Sequence, residues 1–224
     1  MTEAALFDWD GTLLDSREAL LGAWHAASHE VTGRRFPADA EEERLVFTQP
    51  GAKLFPHVAG SEAGAIRLGA AFQRAYETTG GRVRAFPGVI EMLASLRDEG
   101  VAVGVVTSKA RTRFESDARR IGVRKLVDVA VCQEDSPADK PHPAPVAHAL
   151  EALGVAPGQA VLAGDTPVDV AAGLAAGVTC VGVTWGASDQ GALLDAGAMA
   201  VARDTGELAL LVLRGCVDPE MIGR

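Results

Sequence analysis

The chain has 224 residues, 48% hydrophobic and 23% charged, which allows a sizeable packed core and excludes a disordered segment. Its 30 acidic against 21 basic residues give a formal charge of −9, which argues against a nucleic-acid or anionic-membrane surface but allows a local basic pocket. Cys132, Cys180 and Cys216 match neither a zinc spacing nor a disulfide framework.

Cys132 and Cys180 fall in β-like runs and read as small core residues, which points to a reducing, cytoplasmic compartment. The N-terminus starts acidic and reaches a charged motif by residue 8, unlike a signal peptide. Apolar stretches such as "VAVGVV" are too short to span a bilayer.

In chain order, "AALFDWD" reads as a first strand. "SREALLGAWHAASHEV" then places Leu20, Ala23, Trp24 and Ala27 at helical spacing, with Ser16 and Glu18 as an imperfect start signal. "RRFPADAEEERLVFTQPGAKLFPHV" holds a short helix and a Pro-Gly break, and "EAGAIRLGAAFQRAYETTGG" is a second long helix. In "AFPGVIEMLASLRDEG" (85–100), Pro87 and Gly88 mark a helix start.

Short β-branched runs and helical patterns then alternate: "VAVGVVT" (101–107), a helix over 110–120, "KLVDVAVC" (125–132), "PVAHALEALG" (145–154), "AVLAGD" (160–165), "VDVAAGLAAG" (168–177), "VTCVGVTW" (178–185) and "MAVARD" (199–204). Continuous apolar strands alternating with helices predict a parallel sheet covered on both faces. The expected fold is α/β: a Rossmann-like parallel core from 1–15 and 86–224, with an inserted α-helical cap domain at 16–85.

Function in such a sheet gathers where strands end and loops begin. Four polar clusters fall there. "DWDGT" carries Asp8 and Asp10, which face the same way if the strand period persists. "VVTSK" carries Thr107 and Ser108, "DKPHPAP" carries Lys140, and "AGDTPVD" carries Asp165 and Asp169. Each alone has a plain reading as turn, helix cap or first-turn acid. Together they supply hard oxygen ligands for Mg²⁺ and a hydroxyl, backbone N–H groups and a lysine for phosphate oxygens.

These four motifs in this order resemble the haloacid dehalogenase-like hydrolase superfamily, in its phosphoglycolate phosphatase-like and β-phosphoglucomutase-like branch. The resemblance spans essentially the whole chain, the helical insertion being similar to that branch's cap. It implies a Mg²⁺-dependent phosphatase working through an aspartyl-phosphate. Asp8 would be the nucleophile, and Asp10 the acid toward the leaving oxygen and then the base toward water. Asp8, the carbonyl of Asp10 and Asp165 would hold the metal. Thr107, Lys140 and backbone amides near Gly11 and Ser108 would hold phosphoryl oxygens, with Asp169 supporting Lys140 or the metal's waters. Asp10 separates phosphate-ester chemistry from relatives that cleave carbon–halogen or carbon–phosphorus bonds. Trp9 is larger than is usual at its position and reads as a core residue.

Within the insertion, "TQPGAKLFPHV" reads as a loop on which Gln49, Lys53 and His57 are candidate substrate contacts. The implied partner is a small phosphorylated metabolite, bound by a monomer or homodimer with no nucleic acid and no membrane. A sugar-phosphate mutase, a pyrophosphate or nucleotide hydrolase, and a non-catalytic phosphate-binding regulatory module remain open alternatives. A module that had lost catalysis would be expected to lack Asp8 or Asp10, and both are present.

Overall fold

Ala4, Ala5, Leu6 and Phe7 have no solvent exposure and form strand β1 (Ala4–Phe7). The structure is a computed structural model and describes residues 2–214, so Cys216 lies outside the described residues. Along the chain follow β2 (Leu14–Asp15), α1 (Arg17–Thr32), α2 (Ala40–Thr48), α3 (Gly51–Ala59), α4 (Glu62–Thr79) and β3 (Arg84–Ala85). Then come α5 (Val89–Asp98), β4 (Ala102–Val106), α6 (Arg111–Arg120), β5 (Val129–Val131), α7 (Ala144–Leu153), β6 (Ala160–Gly164), α8 (Pro167–Ala175), β7 (Thr179–Val183), α9 (Gln190–Asp195), β8 (Ala200–Ala202) and α10 (Thr205–Leu213). The described residues up to Leu13 and from Ala85 onward form one compact unit, and Leu14–Arg84 form another.

The first unit is built on a six-stranded sheet of order β5-β4-β1-β6-β7-β8. Every strand pair in it is parallel. β1 lies inside the sheet between β4 and β6, so alternate residues face opposite buried layers and the strand reads as a continuous apolar run. On one face Leu6 packs with Val106, Leu162, Val146 and Leu150 of α7 and Val170 of α8. Leu6 sits beside Gly104 in register, and a Cβ on Gly104 would fall on the leucine's side chain. Helices α5 and α10 pack against each other and against β4 and β8, burying Leu93, Leu96, Leu208 and Val212. The α/β class and the parallel sheet agree with the alternation of patterns in the sequence.

"KLVDVAVC" is shorter as a strand than its composition predicts. Arg124–Leu126 form a single 3₁₀ turn, and only Val129–Val131 pair with β4. The Asp128 carboxylate accepts the Val103 N–H at 2.8 Å and pairs with Arg97, so side-chain bonding takes over where the ladder would otherwise extend. Cys132 and Cys180 are buried free thiols, each pushed up to about 12 by burial, as suits inert core residues.

In the second unit α1 and α4 are the long packed pair. Trp24 gathers an aromatic cluster with Phe36, Phe55 and Phe72 at ring-centroid separations of 5.1–5.2 Å. The expected "TQPGAKLFPHV" loop is instead helix α3, entered at Pro50, with Lys53 and His57 on it and Gln49 capping the end of α2. Pro56 inside the helix disfavours a helical reading, but burial of Leu54 and packing of Phe55 against Trp24 outweigh it. Helix α1 begins after Ser16, yet the serine hydroxyl makes no capping bond and is buried without a partner.

Truncating Leu6 to alanine removes a fully buried side chain from an interior strand whose neighbours leave no slack. Leu6→Ala is expected to lower stability by about 2–5 kcal/mol, measured as a drop in the urea unfolding midpoint at unchanged m-value.

Candidate active site

Asp8, Thr107 and Asp165 immediately follow the last residues of β1, β4 and β6. Because those strands are parallel neighbours, all three residues emerge at the same sheet edge. The backbone keeps its ladder to the turn: the Asp8 N–H donates to the Ala163 carbonyl and the Thr107 N–H to the Val131 carbonyl, both at 2.9 Å. Lys140 reaches the same edge from the loop before α7. It is 6% exposed, and its ammonium donates to Asp8 Oδ1 at 2.6 Å, Asp169 Oδ1 at 2.5 Å and the Val106 carbonyl at 3.0 Å. Those contacts use all three of its protons.

Asp169 is held from both ends. Its Oδ2 accepts the Thr166 N–H at 3.1 Å and the Thr166 hydroxyl at 2.6 Å, forming a capping box at the start of α8. Asp165 accepts the Thr12 hydroxyl at 3.0 Å on Oδ1 and the Ala187 N–H at 2.8 Å on Oδ2. Gly11 has φ +91°, and a Cβ there would fall on the Asp165 carboxylate; a Cβ on Gly186 would meet the same side chain. Gly11 is therefore required by the seat of Asp165 as well as by the turn.

Oxygens of Asp8, Asp165 and Asp169 lie within 4.8 Å of one another in a buried cluster. Burial pushes the Asp8 carboxyl well above its ordinary range; Lys140 opposes that, and the charges of Asp169 and Asp165 reinforce it. Asp165 is pushed up to about 7 by burial and then by Asp169, against the N–H of Ala187 and the Thr12 hydroxyl. Burial by itself would lower the Lys140 ammonium, but the charges of Asp169 and Asp8 prevail and hold it above its ordinary value. Three buried acids thus surround one ammonium that bonds only two of them. A divalent cation with a preference for oxygen ligands fits both the donor set and the surplus negative charge.

The strand period does not carry to Asp10, because β1 ends at Phe7. Asp8 turns to Lys140, while the Asp10 carboxylate takes the Lys109 ammonium at 2.7 and 3.1 Å. Trp9 between them is fully buried edge-on against Phe114 at 4.7 Å, as a core residue. Thr107, Ser108 and Lys140 line one cleft together. Gln49, Lys53 and His57 belong to the other unit, where His57 shares a cleft with Arg34, Arg35 and Glu42.

Thr12, Lys109 and Asp117 are parts of the centre that reading by motif passes over. Thr12 and Lys109 stand inside the motifs "DGT" and "VVTSK", next to residues already singled out there. Asp117 carried only a weak one, an acid at an inward helical position beside Phe114 and Ala118.

A parallel α/β sheet with this acid–lysine centre on its carboxyl edge is built to hold a cation and an anion side by side. Residues 5–183 match the family described as haloacid dehalogenase-like hydrolase, and the chain belongs to that family. It is 32% identical over 193 residues to the pyrophosphatase PpaX of Bacillus pumilus, covering 84% of this chain and 86% of that protein. It is also 32% identical over 197 residues to a plasmid-encoded phosphoglycolate phosphatase of Cupriavidus necator, covering 84% and 83%. A crystal structure of a predicted phosphoglycolate phosphatase from Haemophilus somnus superimposes with a TM-score of 0.83 at 25% identity, over 94% of this chain and 97% of that one. Among the described residues, no helix is long and apolar enough to cross a membrane.

Replacing Lys140 by methionine strands Asp8 and Asp169 without their counter-charge. Lys140→Met is expected to cost about 3–5 kcal/mol in urea unfolding performed without added metal.

Proposed function

We propose that the protein is a cytoplasmic, Mg²⁺-dependent phosphatase that hydrolyses a small phosphorylated metabolite, phosphoglycolate-like or a sugar phosphate, through a covalent aspartyl-phosphate. The observation that carries this reading is the Asp8 carboxylate, with one oxygen fixed by buried Lys140 inside a cluster of acids. Asp165 and the pyrophosphatase and phosphoglycolate phosphatase names of the relatives support it.

Asp8 attacks phosphorus in line, and the bond to the leaving oxygen breaks as Asp10 delivers a proton to it. Asp10 then takes a proton from water, whose oxygen attacks phosphorus, freeing phosphate and restoring Asp8. Thr107, Lys140 and the amides near Gly11 and Ser108 hold the phosphoryl oxygens. Asp8, Asp165 and the Asp10 carbonyl would hold Mg²⁺, with Asp169 bracing Lys140. The ion, when bound, supplies positive charge to the phosphoryl group. In the second unit, Gln49, Lys53 and His57 are assigned to contacts with the leaving group. The chain acts as a monomer or homodimer and needs neither nucleic acid nor membrane.

Pyrophosphate is a second substrate reading, favoured by the PpaX relative. A phosphate-release screen over phosphoglycolate, sugar phosphates, nucleotides and pyrophosphate decides between them. Isomerised sugar phosphate with little free phosphate would instead identify a mutase.

Asp8→Asn is expected to reduce phosphate release to background while leaving the urea transition in place. Near-normal turnover by this variant would place the nucleophile elsewhere. EDTA is expected to abolish release, and excess Mg²⁺ to restore it; release unaffected by EDTA would remove the metal from the reading.

A further inference from the structure

We infer that Lys109 is a positioning residue for Asp10, braced from behind by Asp117, and that this clamp orients the proton donor toward the leaving group. The inference rests on the reading of Asp10 as that donor.

The Lys109 side chain is 2% exposed, although it ends in a charge. Its backbone is pinned on both sides: its N–H donates to the Thr107 hydroxyl at 3.1 Å, and its carbonyl accepts the Gln133 N–H at 3.1 Å. The ammonium reaches both oxygens of the ionised Asp10, at 2.7 and 3.1 Å; when one oxygen carries the proton for the leaving group, the ammonium keeps the other and fixes the carboxyl's rotation. Behind it the ammonium meets Asp117 Oδ2 at 2.9 Å, while Arg120 donates to the other oxygen of Asp117 at 3.1 Å.

Asp117 is 3% exposed and points inward from α6, whose other buried residues are Phe114 and Ala118. A carboxylate at such a position carries a desolvation cost that an apolar residue would not, so its presence needs a reason. Lys109 supplies one. The chain of charges runs from the α6 carboxylate through the ammonium to Asp10, whose side chain is still 20% exposed and so accessible to a reacting group. A lysine meant for substrate would have kept its ammonium open; this one is enclosed between two acids.

A proton donor matters most when the departing oxygen is a poor leaving group. An alkoxide needs its proton as the P–O bond breaks, whereas p-nitrophenolate departs without one. The diagnostic quantity is therefore the ratio of kcat/KM on an alkyl phosphate to kcat/KM on p-nitrophenyl phosphate. The alkyl substrate is phosphoglycolate or glucose 6-phosphate, whichever the parent enzyme turns over faster.

Lys109→Met is expected to lower that ratio by about tenfold or more, a share of the 10²–10⁴-fold that general acid catalysis contributes. Asp117→Asn should lower it in the same direction by less. In an Asp10→Asn background, Lys109→Met should change the ratio by less than about twofold, because the lysine acts through the acid already removed. If Lys109→Met shows no urea unfolding transition, Lys109→Gln, which retains hydrogen-bonding capacity without the charge, is measured by the same criteria. An unchanged ratio in a folded variant would overturn the inference, as would an undiminished effect in the Asp10→Asn background. Failure of the underlying reading has its own signature: Asp10→Asn alone would leave the ratio unchanged.

Discussion

The carboxyl edge of this sheet depends on one buried ammonium. Asp8, Asp165 and Asp169 crowd within 4.8 Å, out of water, where three acids need positive charge. Lys140 supplies it to Asp8 and Asp169 by direct contact, and every one of its protons is committed to the protein. Its side chain is placed by the loop that precedes α7, and one of its protons lands on the last carbonyl of β4. The residual surplus of negative charge makes this a site suited to a divalent cation and to a phosphoryl group held beside it.

The backbone makes that crowding sterically possible. Gly11 and Gly186 clear the space that the Asp165 carboxylate occupies, and a Cβ on Gly164 would fall on Asp169. The backbone just after Gly186 also brings an N–H to the acids, the Ala187 donation to Asp165. Stability and chemistry are coupled here: the parallel register of β1, β4 and β6 sets where the acids emerge, and the apolar layers on both faces hold that register. A second charge chain, Asp117–Lys109–Asp10, runs from α6 to the same edge and treats the two aspartates of "DWDGT" as separate parts.

Much of the fold was legible because the central strands are buried on both sides and so appear as unbroken apolar runs between helical patterns. Where side chains compete with the backbone, legibility fails. Asp128 shortens the strand that the composition of "KLVDVAVC" promises, and aromatic packing of Phe55 makes a helix of a Pro- and Gly-containing segment that reads as a loop. At the site, the acids and Lys140 stood out because their residue types and strand-end positions were unusual together. Thr12, Lys109 and Asp117 did not, since their significance lies in contacts up to 153 residues apart in the chain that no local pattern encodes.

The central claim is that phosphorus is transferred twice, first to Asp8 and then to water. The stereochemical course at phosphorus tests this most directly, using a substrate whose phosphoryl group is made chiral with oxygen isotopes. Two in-line displacements each invert the centre, so the account predicts net retention in the product released by transfer to an acceptor alcohol. Net inversion would mean a single direct attack on the substrate and would contradict the covalent role of Asp8.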